Sequence, residues 1–193
     1  MPLSYRIQYS LPMLYIHITN RYLNKFYSLI NIYTGVIMTC EYCGELEYGR
    51  IIVEKFHWTV YLAPSQRYLG TCVIALNRSC RTLAELEDVE WKEFSDLVRE
   101  MEFTLDKIFK PTLYNWSCFK NAAFRVENPE PQVHWHLIPR YDKKIEFNGA
   151  EFEDPDFGYI PQPIKQEISE ELMEMIKDKI IENFSWFAYI MLH

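Results

Sequence analysis

The chain lacks a surplus of positive charge, a long apolar run and an even set of cysteines. Lys and Arg number 20 against 27 Asp and Glu, so its 193 residues carry a net charge of −7. That balance argues against a generic nucleic-acid binder working through a basic face. No stretch approaches the ~18–20 uninterrupted apolar residues of a membrane-spanning helix. Five cysteines, Cys40, Cys43, Cys72, Cys80 and Cys118, form an odd set in a fairly large chain. Such usage fits a reducing compartment better than a secreted disulfide framework. There is no internal repeat and no low-complexity tract. A soluble cytoplasmic protein is the expectation.

Acidic residues are missing altogether from residues 1–37, which hold Arg6, Arg21 and Lys25 and so carry +3, leaving −10 for the remainder. Those charges are too scattered for a signal-peptide n-region, and no small-residue cleavage pattern follows Gly35. The segment reads as an N-terminal extension: a non-native start, or a disordered or targeting leader. A working domain is expected over 38–147, followed by a C-terminal loop and helix over 148–193.

From Ile51 the pattern is strand-like. Ile51–Lys55, Trp58–Leu62, Thr71–Leu76 and Leu113–Phe119 are rich in β-branched and aromatic residues. Between Leu83 and Phe109 the period turns helical, with Trp91, Phe94, Leu97, Val98, Met101, Leu105 and Ile108 recurring at three and four residues. Asp88 is the expected N-cap, and Pro111 forbids continuation. Residues 141–163 read as loop. A second helix uses Ile168, Leu172, Ile176, Ile180 and Phe184 as its stripe. Strands joined by short turns favour antiparallel pairing, so the class is α+β.

Histidine is scarce, yet two of the five stand two apart in Gln132-Val133-His134-Trp135-His136-Leu137-Ile138, bounded by Pro131 and Pro139. On a strand, 132, 134 and 136 share one face while Val133, Trp135 and Leu137 turn inward. An imidazole with pKa near about 6.5 is largely neutral at cytosolic pH and can serve as nucleophile, base or metal ligand. Three readings stand: two packed or solvated rings, a metal pair short of a third ligand, or covalent catalysis.

This segment resembles the motif of the histidine-triad (HIT) superfamily, histidine and apolar residues alternating and running on into Pro139-Arg140. The resemblance extends over roughly residues 40–147. It takes in Cys40-x-x-Cys43, the strand Val73–Leu76 followed by Asn77-Arg78, the Thr82-Leu83-Ala84-Glu85-Leu86 lead-in to the helix, and Asn115-Trp116 with Asn121. It implies a HIT-like fold: a curved antiparallel sheet, a long helix packed on it and an added C-terminal helix. It also implies a homodimer with sheets joined edge to edge.

The activity implied is that of a hydrolase of phosphorus anhydrides. It would cleave at the α-phosphorus of diadenosine polyphosphates or adenosine phosphoramidates through a nucleotidyl-histidine intermediate and release AMP. His134 matches the nucleophile, and His136 the histidine that contacts phosphate oxygens and leaving group. Asn121 and Gln132 would position substrate. Arg140 is a candidate phosphate contact or equally a surface salt-bridge partner, and Trp58 is a core residue by default or a candidate wall of the purine pocket. The first triad histidine is replaced by Gln132, which can hydrogen-bond without titrating. With His136 kept, hydrolysis is favoured over nucleotidyl transfer to phosphate or sugar phosphate. A nucleotide-binding module with weak or lost catalysis is the further alternative, motivated by Gln132 and Lys120.

Some HIT proteins bind zinc through two cysteines and two histidines. Cys40 and Cys43 have ligand spacing, but the remaining positions here are Ser79 and Gln132, a hydroxyl and a neutral amide. Cys80 is a substitute only if the register slips by one. No cofactor is therefore required, and zinc is not favoured.

Overall fold

A computed structural model describes residues 48–190, with side chains to Phe184. In chain order the elements are β1 (Arg50–Glu54), β2 (Trp58–Leu62), β3 (Cys72–Leu76), α1 (Asp88–Ile108), β4 (Leu113–Ser117), β5 (His134–Arg140), β6 (Ile145–Phe147), β7 (Ala150–Phe152) and α2 (Glu170–Ile190). Strands β1 to β5 form one sheet in the order β1-β2-β3-β5-β4, with every pairing antiparallel. The α+β architecture is the expected one, a sheet with a long helix and an added C-terminal helix. The expected break near Met38 lies outside the described residues, as do Cys40 and Cys43.

Alternation sorts the strand residues onto two faces. Trp58, Val60 and Leu62 of β2, Cys72, Ile74 and Leu76 of β3, and Val133 and Leu137 beside and within β5 belong to the main core. Against them α1 buries Phe94, Leu97, Met101 and Leu105, residues spaced at three and four as the sequence pattern requires. The Phe94 ring lies stacked on Trp135, with centroids 4.9 Å apart. Helix α2 adds Met173, Ile176, Ile180 and Phe184 to the same core. Arg50 on β1 ties that helix to the sheet through Glu170 and Glu174.

The other face carries a smaller cluster of Tyr48, Ala63, Val73 and Ala75, with Tyr61 packed on it. Ala63, Val73 and Ala75 are small, so the two histidines of β5 and the rings of Tyr48 and Tyr61 are the bulky groups of that face.

Three local expectations change. The cap of α1 is Glu87, not Asp88: Glu87 and Glu90 form a reciprocal capping box. Leu83–Glu85 is a separate short 3₁₀ turn, so the helix begins after it. The helix ends at Ile108, with Lys110 in a left-handed conformation before Pro111. Within the region read as loop, β6 and β7 form a hairpin around Asn148-Gly149, both at positive φ. That dipeptide suits a tight turn whose two central residues need φ > 0.

Candidate active site

Strand β5 runs between β3 and β4, so both neighbours fix its register. His134 stands opposite Ala75 of β3; His136 stands opposite Val73 on one side and Ser117 on the other. The two rings meet edge to face, with centroids 4.9 Å apart and planes at 85°. His134 Nδ1 lies 2.8 Å from the backbone oxygen of Gln132. A carbonyl oxygen only accepts, so Nδ1 carries a proton, and in the neutral ring Nε2 holds the lone pair. Among the described residues, Nε2 is buried with no hydrogen-bond partner. A neutral imidazole with its lone pair unspent and dry is equipped as a nucleophile.

Other nucleophiles nearby are less suited. Burial pushes the Cys118 thiol up, keeping it protonated beside the motif. Burial raises Cys72 as well, and its Sγ donates to the Gly70 carbonyl. Cys80 is buried and donates to the Thr82 carbonyl.

Gln132 works through both its backbone and its side chain. Its backbone oxygen sets the His134 tautomer. Its side-chain oxygen accepts from Cys80 N at 3.0 Å, and its amide nitrogen donates to the carbonyls of Leu76 at 2.9 Å and Arg78 at 2.7 Å. The return bond from Val133 N to Cys80 O, 2.8 Å, completes the attachment of the loop after β3 to the start of β5. With its amide committed to three backbone groups, Gln132 is a loop clamp. Among the described residues, no group of three His, Cys, Asp or Glu converges as a metal site.

Two of the expected substrate contacts are corrected. Arg140 shares the face of His134 but stands six residues along, about 20 Å at strand spacing. It is 1% exposed. Its Nε and Nη2 bind the Asp154 carboxylate at 2.6 and 3.0 Å, and the remaining donors reach Asn115 Oδ1 and the carbonyls of Asp156 and Tyr159. All five N–H donors are spent, so none is left for phosphate. Trp58 is fully buried on the opposite face, where its Nε1 donates to the Glu90 carbonyl and its ring meets Phe94. It is a core residue and lines no nucleotide pocket.

Asn121 is exposed and opens a 3₁₀ turn, Asn121–Arg125, rather than lying in a strand. Just before it, Lys120 Nζ donates to the Arg81 carbonyl at 2.7 Å, joining that turn to the Gln132-clamped loop. The sequence reading missed Phe119, whose half-exposed ring lies 6.2 Å from His136. It also missed Tyr48, whose ring centroid is 5.1 Å from that of His134. Phe119 could have been found from its place beside Asn121; Tyr48 carries no sequence signal.

Comparison with known proteins places this geometry. A histidine triad protein from Marinobacter aquaeolei VT8 superposes with a TM-score of 0.53 at 17% identity, over 72% of this chain and 90% of that one. A hypothetical histidine triad nucleotide-binding protein from Sulfolobus tokodaii strain7 gives 0.52 at 15%, over 71% and 84%. A histidine triad protein from Sinorhizobium meliloti 1021 gives 0.52 at 17%, over 70% and 90%. No family model matches the sequence, and no curated protein does. At such identities the likeness concerns the backbone, and the chain has the fold of histidine-triad proteins.

Proposed function

We propose that the chain is a nucleotide hydrolase acting at the α-phosphorus through a covalent bond to His134. The observation that carries the reading is the pairing of His134 Nδ1 with the Gln132 backbone oxygen, which leaves Nε2 with a free lone pair beside His136. The motif resemblance and the shared fold supply the substrate class: diadenosine polyphosphates or adenosine phosphoramidates, with release of AMP.

In the first step Nε2 attacks the α-phosphorus, an N–P bond forms, the bond to the leaving group breaks, and that group leaves with the electron pair. His136 faces the same space and contacts the phosphate oxygens and leaving group. The imidazole, now bonded at both nitrogens, is cationic and makes a good leaving group in turn. Water then adds to phosphorus, the N–P bond breaks and the nucleoside monophosphate departs. Dividing one hard displacement into two is the advantage of the covalent intermediate. Neither step calls on a metal, and zinc has no part in this reading. Asn121 is assigned to substrate positioning, from the exposed turn next to the site.

One observation favours a second reading, a nucleotide-binding module with weak catalysis. His134 is only 6% exposed, so a nucleotide reaches Nε2 only if neighbouring groups give way. Incubation with diadenosine tetraphosphate decides between them. Turnover that vanishes in His134→Ala, with a phosphorus–nitrogen adduct mapped to His134, supports the enzyme; binding without turnover supports the module. The reading also takes the protein as a cytoplasmic homodimer joined at a sheet edge, which would cover a strand edge otherwise open to pairing. Among the described residues, no helix is long and apolar enough to cross a membrane.

A further inference from the structure

Among the described residues the His134 ring makes one hydrogen bond, and one bond at Nδ1 leaves an imidazole plane free to rock about it. Among the described residues two ring contacts restrict that motion. His136 meets His134 edge to face on the same strand, and the Tyr48 ring packs against it at 5.1 Å with planes at 43°. Tyr48 belongs to the chain before β1, which β2 and β3 separate from β5 in the sheet order. Its ring is itself backed by Tyr61, 5.5 Å away, and only 8% of it is exposed.

The backbone shows how the ring reaches there. Gly49, between Tyr48 and β1, has φ of +129°, and a Cβ on it would sit 1.9 Å from the Leu62 carbonyl oxygen. Only glycine permits both the left-handed conformation and the close approach to β2. The chain is thereby turned so that Tyr48 lies over the histidine face instead of continuing the line of β1. We propose that Tyr48, placed by Gly49, is a positioning residue for His134. Its ring walls one side of the imidazole, keeping Nδ1 on the Gln132 carbonyl and Nε2 dry and aimed for in-line attack. The proposal rests on His134 being the nucleophile. It differs from a plain packing role in what it makes of His134 reactivity.

The test uses the full chain and diethyl pyrocarbonate, a small acylating reagent for neutral imidazole nitrogen, with the modified histidines mapped by mass spectrometry. His57, half-buried and remote in sequence from the motif, serves as internal reference. In Tyr48→Ala the labelling of His134 relative to His57 rises about tenfold as the wall is removed, while Tyr48→Phe labels as the parent does. Turnover of diadenosine tetraphosphate in Tyr48→Ala falls in kcat by about 10–100-fold with KM little changed, the range expected for a reacting group displaced by about 1 Å. Tyr48→Phe restores it. Gly49→Ala, read by the same labelling at a temperature where circular dichroism shows it folded, behaves as Tyr48→Ala. Equal His134 labelling in parent and Tyr48→Ala overturns the proposal, as does a Tyr48→Phe variant as impaired as Tyr48→Ala. If the parent shows no turnover, the hydrolase reading fails, and the labelling ratio still decides whether Tyr48 controls His134.

Discussion

Removing the carboxylate of Asp154 is the sharpest test of where Arg140 is employed. The pair is almost wholly out of water, with side chains 2% and 1% exposed, and two charge-assisted bonds of 2.6 and 3.0 Å join them. Asp154→Ala leaves Nε and Nη2 facing a cavity while the guanidinium stays charged. Breaking a buried pair from one side costs about 3–5 kcal/mol, a large share of the roughly 5–15 kcal/mol that holds a domain folded. For a chain of this size each kcal/mol moves Tm by about 2–4 °C, so thermal unfolding is expected some 6–20 °C lower. A double-mutant cycle with Arg140→Leu isolates the pair. The double variant remains destabilised, because the carbonyls of Asp156 and Tyr159 and the Asn115 amide lose their donor too. Turnover by Asp154→Ala, assayed well below its Tm, is expected to match the parent. A variant of unchanged Tm but with kcat/KM reduced tenfold or more would refute the reasoning and return Arg140 to the substrate.

Gln132→Ala removes three hydrogen bonds at about 1 kcal/mol each, so urea unfolding is expected to show about 2–3 kcal/mol less stability. Because the backbone oxygen at 132 survives, most of kcat should remain; complete loss would show that the side chain acts in the chemistry. Glu90 gives the pH prediction. Its hydrogen bonds from Arg78 hold the carboxyl below the usual range, against the opposing effect of burial. A depressed folded pKa contributes stability above the unfolded value, and that contribution fades as pH falls through the folded one. Thermal stability of the parent should therefore drop on acidification below about pH 4.3 more steeply than that of Glu90→Gln; parallel profiles would contradict it.

Much of the site was legible because alternation on β5 decides direction by itself. Once Val133, Trp135 and Leu137 must be buried, His134 and His136 face the other way. The same logic groups Trp58 with Val60 and Leu62 against Thr59 and Tyr61, and the pairing with Leu76 sends the indole to the helix side. Arg140 was misread because its partner, Asp154, lies beyond a hairpin that the sequence reading took as loop. That hairpin did carry a signal, Asn148-Gly149 between short apolar segments, but strands of three residues give too little alternation to weigh against it. Asn121 lies in a short turn because β4 stops at Ser117 and the chain then leaves the sheet. Tyr48 depends on a glycine whose need for φ > 0 is visible only once Leu62 stands opposite.

Glutamine at position 132 becomes intelligible in these terms. What His134 takes from position 132 is a backbone carbonyl, which every residue supplies. What the fold takes from that side chain is a clamp with one acceptor and two donors, serving Cys80 N and the carbonyls of Leu76 and Arg78. A neutral imidazole has one donor and one acceptor and would leave one of those groups unpaired; an amide satisfies all three. The two demands run through different atoms of one residue, so glutamine can serve the loop without disturbing the bond to His134. On the proposed reading, separation of this kind means that glutamine at position 132 does not by itself argue against chemistry at His134.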